Sequence, residues 1–244
     1  MAVSEAALIR LREKRAYLIA AILFPVIVLI GFGPTYYFKP FITAPPLSSY
    51  LVHIHGAIMT AWVALYITQV LLVRTKNIRV HQSLGYLGIA LAVLVVVAGF
   101  FTAIAAAKNG TPPPGLPPPL SFLAIPFFDL ITFSVLFAAA VHYRKRPADH
   151  RRLMLVLAIS LLPPAVARIA LAYLPAPGPL YFFGLPTVLC LAALFYDRWL
   201  NGKFNRVMIY AILFLIASYP LRLMILGTDA WLAFANWLTG FSPV

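Results

Sequence analysis

Residues 16–38 read AYLIAAILFPVIVLIGFGPTYYF, a run that carries no formal charge. At 1.5 Å of rise per residue a helix of this length spans about 34 Å, enough to cross the roughly 30 Å hydrocarbon layer of a bilayer. Its apolar character is continuous and does not alternate with period two, so it reads as a spanning helix and not as a barrel strand. The segment before it, MAVSEAALIRLREKR, resembles the charged start of a signal peptide. The run that follows is too long for a signal h-region and lacks a small-residue cleavage pattern, so it reads as a retained first span.

The rest of the chain has the same texture. Of 244 residues, 63% are hydrophobic and 10% charged, with a mean hydropathy of +0.93, a balance that excludes a water-soluble domain. With the first span near 16–38, six more are expected near 50–73, 81–107, 120–143, 151–174, 179–199 and 206–226. The fold class is therefore all-α, a polytopic membrane helix bundle forming one domain over 1–244. The closing GTDAWLAFANWLTGFSPV is too short to cross; with Thr228 or Asp229 as cap, an interfacial amphipathic helix is expected over 229–239. The connections KPFITAPPLSS, NGTPPPGLPPPLS and LPAPGP read as stiff, extended caps on one face. A single cysteine, Cys190, excludes an intrachain disulfide and a cysteine-rich metal site.

Charge gives the expected orientation. Fifteen of the nineteen Lys and Arg residues fall on one side if the N-terminus is cytoplasmic: those at 10–15, 74–79, 144–152 and 198–206. Lys39, Lys108, Arg168 and Arg222 lie on or toward the other side. The net charge of +13 is thus a topological signal, and nucleic-acid binding is excluded because the basic residues are divided among four short segments. The expected orientation has the N-terminus in the cytoplasm and the C-terminus outside, with the lipid bilayer as the first partner.

Two histidines stand one residue apart in LVHIHGAIMTAW, residues 51–62. At 100° per residue they lie about 200° apart on a helix and cannot address one neighbour. His53 shares a face with Gly56, Ala57, Thr60 and Ala64, a small-residue stripe suited to close helix contact. His55 shares the other with Met59, Trp62, Tyr66 and Gln69, which reads either as the lining of a cavity or as a belt tryptophan above a buried, hydrogen-bonded glutamine.

Charges inside spans cost on the order of 2–3 kcal/mol each and so face one another or water within the bundle. Asp129 lies about 13 Å into span four, and Arg168 about 9 Å from the outer end of span five, with Arg222 at a similar depth in span seven. An outer polar cluster of His55, His53, Asp129, Arg168 and Arg222 is expected, with Tyr36, Tyr37 and Trp62 near its rim. It serves either as a ligand site or as an ion pair that locks helix packing. Pro163, Pro164 and Pro220 are expected to kink the helices beside it.

His81, His142 and His150 form a second constellation at the inner ends of spans three to five. The turns RTKNIRVHQSLG and RKRPADHRRLM each place a histidine, then two residues, then a leucine, an echo that puts His81 and His150 in equivalent positions. Histidines on neighbouring helices can ligate haem iron axially or share a metal; as interfacial caps beside basic turns they would do neither. Asp149 reads as the cap of span five.

FGPTYYFKPF, LVHIHGAIMTAW, VHQSLGYLG, DHRRLMLVLAISLLPPAVAR and GTDAWLAFANWL together resemble an uncharacterised family of bacterial multi-pass membrane proteins, over nearly the whole chain. That resemblance implies a bacterial cytoplasmic (inner) membrane location and no chemistry. A looser similarity is to transmembrane b-type cytochromes, which pair histidines across a helical bundle; it departs from them in having outer-side histidines on span two alone. Phosphate loops, HExxH and GxSxG are absent, so no catalytic residue is assigned. Three roles remain: holding a ligand or redox cofactor, with haem b leading; a non-enzymatic accessory subunit of a larger membrane complex or homo-oligomer; or a carrier for a small anionic or aromatic compound.

Overall fold

The computed structural model describes residues 4–41, 47, 49–110, 117–174 and 178–241. Most of the proline-rich connections expected to be extended lie outside the described residues. Where 109–121 re-enters them, Pro118 opens one helical turn, so that stretch is not extended to its end. Helix α1 is Glu5–Phe32, α2 Leu51–Arg74, α3 Ile78–Asn109, α4 the single turn Pro119–Phe122, and α5 Ala124–His142. Then follow α6 Pro147–Ser160, α7 Pro163–Tyr173, α8 Pro179–Asn201, α9 Arg206–Ile225 and α10 Asp229–Phe241.

Among the described residues seven segments are long and apolar enough to span a bilayer: Ala7–Tyr37, Leu51–Arg74, Ile78–Asn109, Pro119–Lys145, Pro147–Tyr173, Pro179–Asn201 and Arg206–Ile225. The protein is an all-α membrane bundle. Its first helix begins well before residue 16, because Ser4 accepts from the Ala7 N–H and starts α1 inside the charged segment.

The bundle is built around span five. In α6 every residue from Val156 to Ser160 is buried, as is Leu153, which requires neighbours on all sides. Pro163 and Pro164 lack amide donors, so the helix breaks at Leu161–Leu162 and resumes as α7. Helix α2 is peripheral by contrast and buries only Trp62 and Tyr66. It forms a tight hairpin with α3 through a turn in which Lys76 takes a positive φ of 63°.

At the opposite end from the N-terminus, Pro34 interrupts the hydrogen bonding of span one, which widens into a π turn over Gly33–Tyr37 closed by Phe38 N–H to Gly33 O at 2.8 Å. This aims Tyr36 and Tyr37 at α2. Helix α10 folds back over the same end: Thr228 accepts from Trp231 N–H at 3.3 Å as its cap, and Trp231 Nε1–H donates to Leu120 O at 2.9 Å. Its exposed side carries Phe234, Trp237 and Phe241, the composition of an interfacial helix.

Helices α1 and α7 approach backbone to backbone at Gly31. A Cβ on Gly31 would lie 2.5 Å from the Ala165 carbonyl oxygen and 2.8 Å from its Cα, and neither is a flexible side-chain end. Gly31→Ala is expected to force the helices apart and destabilise the protein by about 1–3 kcal/mol. Thermal unfolding in detergent measures this, and an unchanged midpoint would refute the close contact.

Candidate functional site

Arg222 is fully buried, and the guanidinium is satisfied almost entirely by the protein. Its Nη1 donates to Asp129 of α5, its Nε to the Ser218 carbonyl at 3.1 Å, and its Nη2 to Ser218 Oγ at 3.0 Å and Thr132 Oγ1 at 3.5 Å. Phe183 and Tyr219, stacked 4.5 Å apart, cover it with ring centres 5.6 and 5.4 Å from the guanidinium carbon. This is an ion pair enclosed by hydroxyls and aromatic faces, with its charge neutralised in place.

Arg168 turns elsewhere. It is exposed, lies 4.2 Å over the Phe32 ring and donates to Pro164 O at 3.0 Å. The break at Pro163–Pro164 explains this, since α7 leaves the line of α6 and carries residue 168 to the bundle's flank. Of the five residues of the outer cluster, Asp129 and Arg222 form the direct ion pair, while the Arg168 charge lies close enough to act on His55.

The two histidines of HIH separate as their angle requires. His55 points inward with its ring against Gly99 of α3, and its Nδ1 is buried without a partner. Its stripe is tightly packed: Trp62 meets Phe133 and Phe137 edge-on at 5.1 and 5.6 Å, and Tyr66 meets Phe24 at 5.7 Å. His53 is exposed and flanked by the Tyr36 and Tyr50 rings, each 6.0 Å away. Its small-residue stripe meets the π turn at one end, where the Tyr36 ring covers Gly56 and the Tyr37 hydroxyl bonds Thr60 Oγ1 at 2.9 Å. Beyond that Ala57, Ala61, Ala64 and Thr68 are exposed. Within this chain the stripe is met by a π turn at one end, and the rest of the face is open.

At the N-terminal face, His81 in the first turn of α3 and His150 in the first turn of α6 come together, with ring centres 6.4 Å apart and planes crossed at 73°. His150 Nδ1 is 2.8 Å from the Ala140 carbonyl, so that nitrogen carries the proton and Nε2 holds the free lone pair. His81 Nδ1 is buried without a partner. Beside it Gln69 Nε2–H donates to His81 O at 3.2 Å. One turn further along α3, a Cβ on Gly85 would meet nothing within 4 Å, so there is open space on the His81 face. His142 is exposed at the end of α5, edge-on to Tyr143 at 5.0 Å, and lies apart from this pair. Among the described residues no three His, Cys, Asp or Glu side chains gather as a metal site.

A second charged group at this face escaped the sequence reading. Arg152 is buried and bonds Asp197 Oδ1 through Nε at 2.8 Å and Nη2 at 2.7 Å; Asn201 adds a bond to the same oxygen at 3.2 Å. Arg151 pairs with Glu13 and lies over the Tyr17 ring at 5.6 Å. Asp149 is not the cap of α6, because Pro147 holds the first helical position and Asp149 falls in the first turn. Its carboxylate accepts from Asn205 Nδ2 at 2.7 Å instead. Asp197 one turn from Asn201 at the end of an apolar span was the available signal, of the same kind that exposed Asp129.

The described residues thus form a closed Asp129–Arg222 ion pair at one face, and an Arg152–Asp197 pair and a His81–His150 pair at the other. Compared with known protein families, curated proteins and solved structures, the chain matches none of them.

Proposed function

We propose that this membrane protein holds a redox cofactor between His81 and His150, with haem b as the group that fits the donor set. The observation that carries the reading is the ring spacing. Two imidazoles sharing one metal at about 2 Å per bond have nitrogens about 4 Å apart and ring centres about 6 Å apart, and the observed separation is 6.4 Å. The His150 Nδ1 bond to a backbone carbonyl is the outer support that ligating histidines ordinarily have. Two protein donors leave a bare ion under-coordinated, whereas a porphyrin brings four nitrogens of its own. The open space at Gly85 adds room beside the His81 ring. When bound, the haem would supply a one-electron carrier; His81 and His150 would hold it, and the Ala140 carbonyl would keep His150 in one tautomer.

A carrier for an anionic compound would need an available buried cation, and Arg222 is already neutralised by Asp129. The accessory-subunit reading has one specific support, the open small-residue face of α2, which is suited to a helix from outside this chain. Purification from haem-replete cells followed by a visible spectrum separates the readings. A Soret band with one haem per chain is expected; colourless, haem-free protein that co-purifies with another membrane protein would favour the accessory role.

The basic face belongs in the bacterial cytoplasm on this reading, by the fifteen-to-four distribution of Lys and Arg. A reporter fused after Val244 should be active only when it is of the kind that works outside the cytoplasm. Activity of a cytoplasm-only reporter at that position would reverse the orientation.

A further inference from the structure

We infer that Gln69 is the positioning residue for the His81 ligand, its side-chain carbonyl accepting from His81 Nδ1–H when a metal is bound at Nε2. The inference rests on the proposed His81–His150 reading. Gln69 and His81 face one another across the α2–α3 hairpin at similar depth, about 8 Å before the end of α2 and about 5 Å after the start of α3.

Three observations converge. Gln69 Nε2–H already donates to the His81 backbone carbonyl at 3.2 Å, so the amide is tethered beside the imidazole. That carbonyl does not require it, since the Gly85 N–H takes it up in the regular helix. Gln69 Oε1 and His81 Nδ1 are both buried with no partner, an acceptor and a potential donor on two adjoining side chains. His150 shows what is missing, for its Nδ1 is already on the Ala140 carbonyl.

A free imidazole exchanges its proton between two nitrogens, and a buried one without an Nδ1 acceptor gains nothing by keeping Nε2 unprotonated. Metal ligation at Nε2 forces the proton to Nδ1, and the Gln69 amide oxygen, buried without a partner on the adjoining side chain, is the acceptor assigned to it. The bond would orient the ring and raise the basicity of Nε2, favouring the higher oxidation state of the iron. Gln69 is thus assigned to tuning the centre; it does not ligate.

The test uses the full-length protein in detergent, titrated with haemin, with Gln69→Leu and Gln69→Glu compared with the parent. Gln69→Leu should weaken haem binding by 10- to 100-fold and raise the midpoint potential. Gln69→Glu keeps an acceptor and should restore binding while shifting the potential downward by about 59 mV, a tenfold preference for the ferric form. A purely packing role for Gln69 would leave the potential of haem-loaded Gln69→Leu at the parent value, and that result overturns the inference while leaving the histidine pair intact. Should Gln69→Leu not fold, equal potentials in Gln69→Glu and the parent would overturn it as well. Failure of the parent itself to bind haemin removes the histidine-pair reading and this inference with it.

Discussion

Asp129→Ala is expected to destabilise the protein by about 3–5 kcal/mol, the largest effect of any single change outside the apolar core. Arg222 is fully buried, and the carboxylate is the one formal charge that neutralises it. Removing Asp129 leaves an uncompensated cation beneath the Phe183 and Tyr219 rings. Arg222→Met should also cost several kcal/mol, because Asp129 then loses its partner. The double change Asp129→Ala with Arg222→Met removes both charges and should cost clearly less than the sum of the single changes. Thermal or denaturant unfolding in detergent measures the cycle. Additive losses would mean that the two side chains do not depend on one another.

If the histidine pair holds haem as proposed, His81→Ala and His150→Ala should each remove most of it while the protein still accumulates in the membrane. One axial ligand rarely holds a haem that two hold well, and either change leaves the other imidazole alone. His142→Ala is the internal control, since that ring is exposed and lies away from the pair. Haem content per chain, from the visible spectrum and total protein, is the readout. Full haem occupancy in either variant would place the group elsewhere or exclude it. Equal loss in all three would point to a general effect on folding.

The two expectations differ in kind. The ion pair was legible as chemistry because a charge within twenty apolar residues has few ways to be tolerated, and two such charges in the same half of a bundle have reason to meet. Which arginine would meet Asp129 was not legible. The answer turned on Pro163 and Pro164, whose missing N–H groups break span five and swing residue 168 onto Phe32 at the flank. Proline was foreseen as a kink; the direction of the kink depends on what α1 and α8 press against, and that is set by packing.

The same division runs through HIH. Helical periodicity alone separates His53 from His55 by about 200°, and the structure keeps them on different sides, one exposed and one against Gly99. Periodicity could not say that the His53 stripe would be met by a π turn from span one and not by another helix. That depends on Pro34, which widens the helix end at one point and delivers Tyr36 and Tyr37 sideways. The histidine echo at residues 81 and 150 predicted equivalent positions in two turns. Their meeting at 6.4 Å is a property of how α3 and α6 approach, as is the exclusion of His142, which lies just ahead of the turn that leads to His150.

What the sequence determined by itself is what a bilayer demands of any chain: helices, because backbone polar groups must be satisfied within each span, seven of them, because seven runs are long enough, and a basic face, because charge collects where the apolar runs end. These are one-dimensional properties, written in length, hydropathy and charge. The tertiary structure decided which side chains share a neighbourhood: Arg222 over Arg168 for Asp129, His150 over His142 for His81, and Arg152 with Asp197 where no pair had been expected. Such choices depend on helix rotation, tilt and breakage, which are fixed by close packing among many residues distant in the chain, and no local pattern records them.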